Sequence, residues 1–366
     1  FGVGSDAFQG FAPESAGKFE SDSWAAYLDI EGDLTDQLSA AVAIRFEDYE
    51  EFDTTTDFKV SARYQLTDIL AVRGTFNTGF RSPTPGQVNT LNITTTSDSS
   101  GTLVPNGTYP VDNPIAVALG AEPLEAEDSE SFTIGIVALP LDNTSVTLDF
   151  YRIDIEDRIA LLNNVVGAAE VAILDAAGIP NANLLQGSSA NFFVNGFDTE
   201  ITGIDFALTS TFDEVMDGTL TVDLRHNWNE QEVSDVAGSV NDSRVFDLEN
   251  HVPEHSTVVT LDYARGMFDG LVRVRRYDDW SSTGGLFSPG DASDIYDYDG
   301  EILVDVELSY TFAENYRVSV GGENIFDTTP EDEQEPTLRF LGVDKSLVSP
   351  FGVNGGFWYA RLSASF

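Results

Sequence analysis

Apolar residues recur at every second position over long stretches of this chain. Leu220, Val222, Leu224, His226 and Trp228 fall on one face of an extended segment, and Thr219, Thr221, Asp223, Arg225 and Asn227 fall on the other. Ile302, Val304, Val306, Leu308, Tyr310 and Phe312 form a second stripe, and Leu38, Ala40, Val42, Ile44 and Phe46 a third. The last segment places Trp358, Ala360, Leu362, Ala364 and Phe366 together. Each stripe approaches the roughly 9 to 11 residues that a tilted strand needs to cross hydrocarbon, whereas soluble strands average about 5 to 6. The pattern predicts a transmembrane antiparallel β-barrel, with one face of each strand on lipid and the other on a polar lumen.

Alternation and turn residues together predict strands near 22–32, 36–50, 56–66, 69–79, 129–139, 144–158, 196–212, 217–230, 254–264, 268–279, 299–312, 315–322 and 355–366. Short joints, such as Gly32 to Asp36, Leu66 to Ile69 and Ala313 to Tyr316, alternate with long ones, such as Phe80 to Asp128 and Ile159 to Asn195. Tight turns at one rim and long loops at the other fit a barrel in a membrane. Asn164 to Ala177 is rich in Ala and Val without strict alternation and is followed by Gly178 and Pro180, which predicts one short helix in an outer loop. Single-chain bacterial barrels generally have an even number of strands, so the odd count means either a strand miscounted here or strands outside this chain. No shift in composition marks a second domain, and residues 1–366 are read as one partial barrel. The opening at Phe1, without an initiator methionine or an apolar leader, fits a processed chain or an interior piece.

Composition narrows the chemistry. The chain has no cysteine, which removes disulfides, thiolate nucleophiles and cysteine metal sites, and no apolar run long enough for a transmembrane helix. Lys+Arg number 18 against 62 Asp+Glu, a formal net charge of -44. Such a field repels nucleic acid. The acid is expected on loops and at lumen positions such as Asp149, Asp205, Asp223, Asp305 and Glu307. Two readings fit: a salty habitat with divalent ions bridging to the lipid surface, which is the one favoured, or a vestibule for cationic cargo.

Several segments in order resemble the C-terminal part of a TonB-dependent outer-membrane receptor. AVRGTFNTGFRSPTPGQVN (Ala71 to Asn89) resembles the family's strand ending in a Gly-Phe-Arg-x-Pro-Thr turn, here Gly79, Phe80, Arg81 and Pro83. LEAEDSESFTIGI (Leu124 to Ile136), FYRIDIEDRI (Phe150 to Ile159) and VNGFDTEITGIDFAL (Val194 to Leu208) follow in family order. GGENIFDTTPEDE (Gly321 to Glu333) is similar to the Asn-Leu-Phe-Asp signature, with Asn324, Phe326 and Asp327 matched and Ile325 in the leucine place. Phe366 completes the series and resembles the terminal signal read by the barrel-assembly machinery. The resemblance implies residence in the cell outer membrane, in contact with its lipid, and active import of a scarce solute (a saccharide, a peptide or a metal chelate). Capture by extracellular loops and coupling to the TonB complex through an N-terminal region outside this chain are implied as well. It also implies a 22-stranded barrel around a plug, so the plug and the N-terminal strands would lie outside this chain.

The motif residues themselves read as scaffold. Arg81 is expected to pair with a lumen carboxylate, Pro83 and Pro85 to end a strand, and Asn324 and Asp327 to bond nearby backbone and set a turn. Ligand capture is assigned to Tyr277, Trp280, Tyr296 and Tyr298, whose flat faces could stack on a sugar or an aromatic ligand; an aromatic girdle at the lipid headgroups is the alternative. Asp291, Asp294, Asp297 and Asp299 offer hard oxygen ligands for a structural calcium ion, against the reading of a solvated acidic loop; no other cofactor is expected. His226 is expected to sit near an interface rather than to bind metal, and no metal site is expected at His251 and His255, which flank Pro253, a break in the helical spacing that zinc would need. No nucleophile has a base beside it, and no enzyme activity is expected. The cargo lean is towards a neutral saccharide, a peptide or a cationic chelate. The rival classes are a passive porin and a surface-structural barrel whose acidic loops bind cations.

Overall fold

Alternation over long segments builds a single antiparallel wall. The computed structural model describes residues 17–50, 54–97, 103–237, 240, 242–283, 295–313, 315–340 and 342–365. Its wall strands are β1 (Ser23–Asp33), β2 (Leu38–Tyr49), β3 (Thr55–Thr67), β4 (Leu70–Arg81), β7 (Glu127–Leu141), β8 (Thr144–Val165), β9 (Ser189–Val215), β10 (Gly218–Ser234), β11 (His255–Arg265), β12 (Phe268–Tyr277), β15 (Glu301–Phe312), β16 (Tyr316–Glu323) and β17 (Phe357–Ala364). Each pairs with the next along this order, and among the described residues β1 and β17 are its two ends. Two smaller pairs lie off this path. The first is a hairpin of β5 (Asn92–Ser97) and β6 (Leu103–Thr108), and β6 also runs parallel to the start of β9. The second is β13 (Trp280–Ser282) with β14 (Tyr296–Tyr298).

The short joints β1–β2, β3–β4, β7–β8, β9–β10, β11–β12 and β15–β16 share one end of the wall. Between β9 and β10 the joint is Met216–Asp217, with φ of 49° and 62°. Positive φ at both central residues is the geometry that matches strand twist in a two-residue hairpin. All the long connections leave from the other end and hold α1 (Pro85–Asn89), α2 (Pro114–Ala118), α3 (Ala168–Ala176), α4 (Asp242–Asn250) and α5 (Pro336–Phe340).

Burial is inverted relative to a soluble sheet protein. Leu28, Ile30, Val42, Ile44, Ile134, Ile136, Ile302, Val320 and Leu362 stand exposed on one face, while Asp149, Thr260, Asp305, Ser309 and Ser319 are buried on the other. Apolar side chains turned outward along every strand are what lipid requires. No helix among the described residues is long and apolar enough to cross a membrane.

The thirteen predicted strands match the thirteen wall strands one for one, and the fold class is an antiparallel transmembrane barrel wall. Three strands outrun their predicted ends. Strands β8, β9 and β10 continue beyond the lipid-facing stripe at the long-loop end, where the outward positions turn polar at Arg152, Asp154, Glu200, Glu230 and Glu232. Alternation is lost there although the ladder persists. Among the described residues the loops also hold five α-helices and a 3-10 helix, Ala182–Leu185, where one helix was predicted. Helices α1 and α2 are five residues each, too short to show a helical period, and are set by Pro at their first turn with Thr84 and Asn113 as caps.

Candidate functional site

The polar face of the wall is organised by glycines. Arg73 on β4, Gly135 on β7 and Asp149 on β8 stand in one cross-strand row. With no side chain at Gly135, the Asp149 carboxylate lies across β7 and takes a two-pronged ion pair from Arg73, Nε to Oδ1 at 2.8 Å and Nη2 to Oδ2 at 2.6 Å. A Cβ at Gly135 would collide with that carboxylate. The same device recurs twice. Tyr151 lies across Gly203 and accepts from Asn227 Nδ2 at 3.2 Å, and Tyr359 lies across Gly321 and donates to Glu307 at 2.5 Å. Asn227 also donates to Asp205 at 2.8 Å, and Arg275 to Asp305 at 2.8 Å. The lumen carboxylates predicted from sequence are therefore mostly bound to cations, amides or hydroxyls of neighbouring strands.

Where the strands leave the apolar stripe, the motif residues form a clamp. Arg81 at the end of β4 makes a two-pronged pair with Glu127, one contact at 2.6 Å, and Glu127 also accepts from Ile159 N at 2.7 Å. One carboxylate thus ties β4, β7 and β8. Gly79 O accepts from Ser129 Oγ, Phe80 meets Tyr49 edge to face at 5.6 Å, and Pro83 is fully buried. At the end of β16, Asn324 and Asp327 adopt φ of 49° and 57°, a region that Asn and Asp tolerate. Asn324 exchanges two hydrogen bonds with the Thr328 backbone, and Asp327 accepts from Gly356 N at 2.8 Å. Phe326 is exposed. Phe366 lies outside the described residues.

Two apolar clusters sit at the long-loop end. The first joins Tyr109, Ala116, Leu162, Val166, Leu174 and Phe192 from the β5–β6 hairpin, α2, α3 and the projecting ends of β8 and β9. The second joins Trp280, Tyr298, Leu303 and Phe351. Trp280 and Tyr298 stack at 5.6 Å and are 2% and 1% exposed, so their faces are taken by packing and offer none to a ligand. Tyr277 stacks on Phe351 at 5.8 Å, and Tyr296 packs half-buried against the same cluster. The Tyr298 hydroxyl donates to Glu333 at 2.8 Å, and burial together with that carboxylate pushes its pKa far up.

Of the acidic loop, Asp297 accepts from Ser281 Oγ at 2.6 Å and the Asp299 amide donates to Glu331. Asp291 and Asp294 lie outside the described residues. Among the described residues no three His, Asp or Glu side chains converge to hold a metal ion. An open cavity of about 750 Å³ at the same end is lined, among the described residues, by Glu50, Asp57, Glu125, Asp128 and Asp157 and by no Lys or Arg.

Sequence reasoning missed a buried clasp. Asp247 on α4 accepts from Thr283 N at 2.7 Å and lies 3.1 Å from His251 Nε2, which also meets Ser282 Oγ at 3.1 Å. Burial opposes ionisation of Asp247, but the bonds from His251 and Thr283 outweigh it and hold the carboxyl below its usual range. No spacing in the sequence joins 247 to 283.

An antiparallel wall, apolar outside, bonded across glycines inside and carrying its long loops at one end, is the wall of an outer-membrane barrel. The sequence profile described as TonB dependent receptor-like, beta-barrel matches residues 2–325, and the chain belongs to that family of outer-membrane transport receptors. None of the curated proteins matches the sequence at a significant level. Among solved structures, the chain is similar to the siderophore receptor PirA from Acinetobacter baumannii, with 17% identity, a TM-score of 0.67, and coverage of 100% of this chain and 49% of that one. It is also similar to a mutant of the ferric enterobactin receptor PfeA from Pseudomonas aeruginosa, with 16% identity, a TM-score of 0.65, and coverage of 98% and 47%. A third is FpvAI in its complex with pyocin S2, with 15% identity, a TM-score of 0.59, and coverage of 94% and 39%. The chain thus spans about half the length of the solved structures it matches.

Proposed function

We propose that this chain is the C-terminal wall of a receptor that imports a metal chelate of the siderophore type across the outer membrane, energised through TonB. The observation that carries the reading is the wall itself, matched over its full length by the siderophore receptor PirA. Two of the similar structures, a siderophore receptor and a ferric enterobactin receptor, support this cargo class over a saccharide or a peptide. The carboxylate-lined cavity favours a chelate that is neutral or cationic overall, because a bare anionic chelate would meet five carboxylates without a compensating base. Capture falls to the loop end, where the two packed clusters hold the loops in shape before cargo arrives.

The test is accumulation of radioactive iron supplied as a panel of siderophores by cells carrying the intact receptor gene. The expected result is uptake of at least one neutral or cationic chelate that stops when TonB is deleted or the proton gradient is collapsed. Flux that is indifferent to both would make the barrel a passive porin.

A further inference from the structure

The outward stripe of β10 changes character at its loop end. Leu220, Val222 and Leu224 give way to His226 and Trp228, and then to Glu230 and Glu232. His255, the first residue of β11, pairs with Trp228, and Thr257 pairs with His226, which puts both imidazoles on the outward face at the upper edge of the apolar band. The two rings lie near parallel, 26° apart with centroids 5.4 Å apart, and offset so that His255 Nδ1 and His226 Nε2 are 3.4 Å apart. The other nitrogen of His226, Nδ1, lies 2.8 Å from Thr257 Oγ1.

We propose that His226 and His255 form a binding site for a divalent transition metal of the zinc class. Zinc–imidazole bonds of about 2.0–2.1 Å in tetrahedral geometry separate two ligating nitrogens by about 3.3–3.4 Å. The pair already stands at that spacing. Thr257 supplies the orienting contact: an Nδ1–H donated to its hydroxyl fixes the tautomer in which His226 Nε2 turns its lone pair towards His255, as ligating histidines are normally held. Imidazole nitrogen selects this class of metal over calcium or magnesium, for which the many carboxylates of the chain are the better ligands. No third His, Asp or Glu side chain joins the pair among the described residues, so the remaining positions are open to water and the metal is exchangeable. The site needs no cargo and stands apart from the loop cavity. The competing arrangement, an N–H of one ring donated to the other, has the same spacing and binds no metal.

The experiment is zinc titration of the full receptor, purified in detergent and freed of metal, in excess magnesium to occupy carboxylates. The expected result is one zinc per chain that is absent from His226→Gln and His255→Gln and retained in His251→Gln, the control histidine. Thr257→Val should weaken binding by roughly 10-fold or more. All variants are first checked for heat-modifiable mobility, which reports a folded barrel. No stoichiometric zinc in the wild type, or binding unchanged in both His226→Gln and His255→Gln, would overturn the proposal.

Discussion

Replacing Gly135 by Ala should unlock the Arg73–Asp149 pair without touching either partner. The added Cβ would occupy the space of the Asp149 carboxylate, which lies across the glycine, so the carboxylate must turn aside. Asp149 is 9% exposed and accepts two charge-assisted bonds from Arg73. Bonds to a charged group contribute about 1.5–3 kcal/mol, and the half-exposed guanidinium discounts this to roughly 1–2 kcal/mol for Gly135→Ala. The assay is the urea midpoint of the full receptor folded in lipid vesicles, taken for Gly135→Ala, Asp149→Ala and the double variant. If the glycine exists to let the carboxylate pass, the double variant loses about 1 kcal/mol less than the sum of the singles. Strict additivity, or a Gly135→Ala midpoint equal to wild type, would refute the reasoning.

Gly203→Ala and Gly321→Ala should each lower the urea midpoint, since the added Cβ would collide with Tyr151 and with the Trp228 carbonyl, or with Tyr359 and with the Val306 carbonyl; a variant as stable as wild type would refute both contacts. Trp280→Ala should cost about 3–5 kcal/mol within the loop cluster, read as proteolysis of the loops at an unchanged barrel midpoint. The Asp247 clasp should respond to acid. A carboxyl held below its unfolded value stabilises above the unfolded pKa of about 3.9 and loses that contribution as pH falls through the folded value. Protease sensitivity of α4 should therefore rise as pH falls below about 4, and Asp247→Asn should remove that acid rise.

The wall was legible because lipid imposes a strict rule on one face of each strand, and stripes such as Leu220 to Trp228 carry that rule in sequence. Arg81 and Asn324 were legible too, since a clamp and a left-handed turn use residue types that signal them. Beyond the bilayer the rule lapses. The upper reach of β8 and β9 has polar residues on the outward face, and only the cross-strand ladder shows it to be strand. The roles of Gly135, Gly203 and Gly321 were hidden because the residues they serve lie on neighbouring strands. Trp280 and Tyr298 looked like open faces because their cover, Phe351, is more than fifty residues further along the chain.

The account rests on a wall with lipid on one side and a polar lumen on the other. This chain contains no cysteine, so once any cysteine elsewhere in the receptor is replaced by serine, cysteines introduced singly along β10 report directly. Placed in turn at positions 221 to 225 in the intact receptor in whole cells, they should alternate. Val222→Cys and Leu224→Cys should react only with a lipid-soluble maleimide, and Thr221→Cys, Asp223→Cys and Arg225→Cys should resist it. Uniform reactivity along the strand would contradict the account.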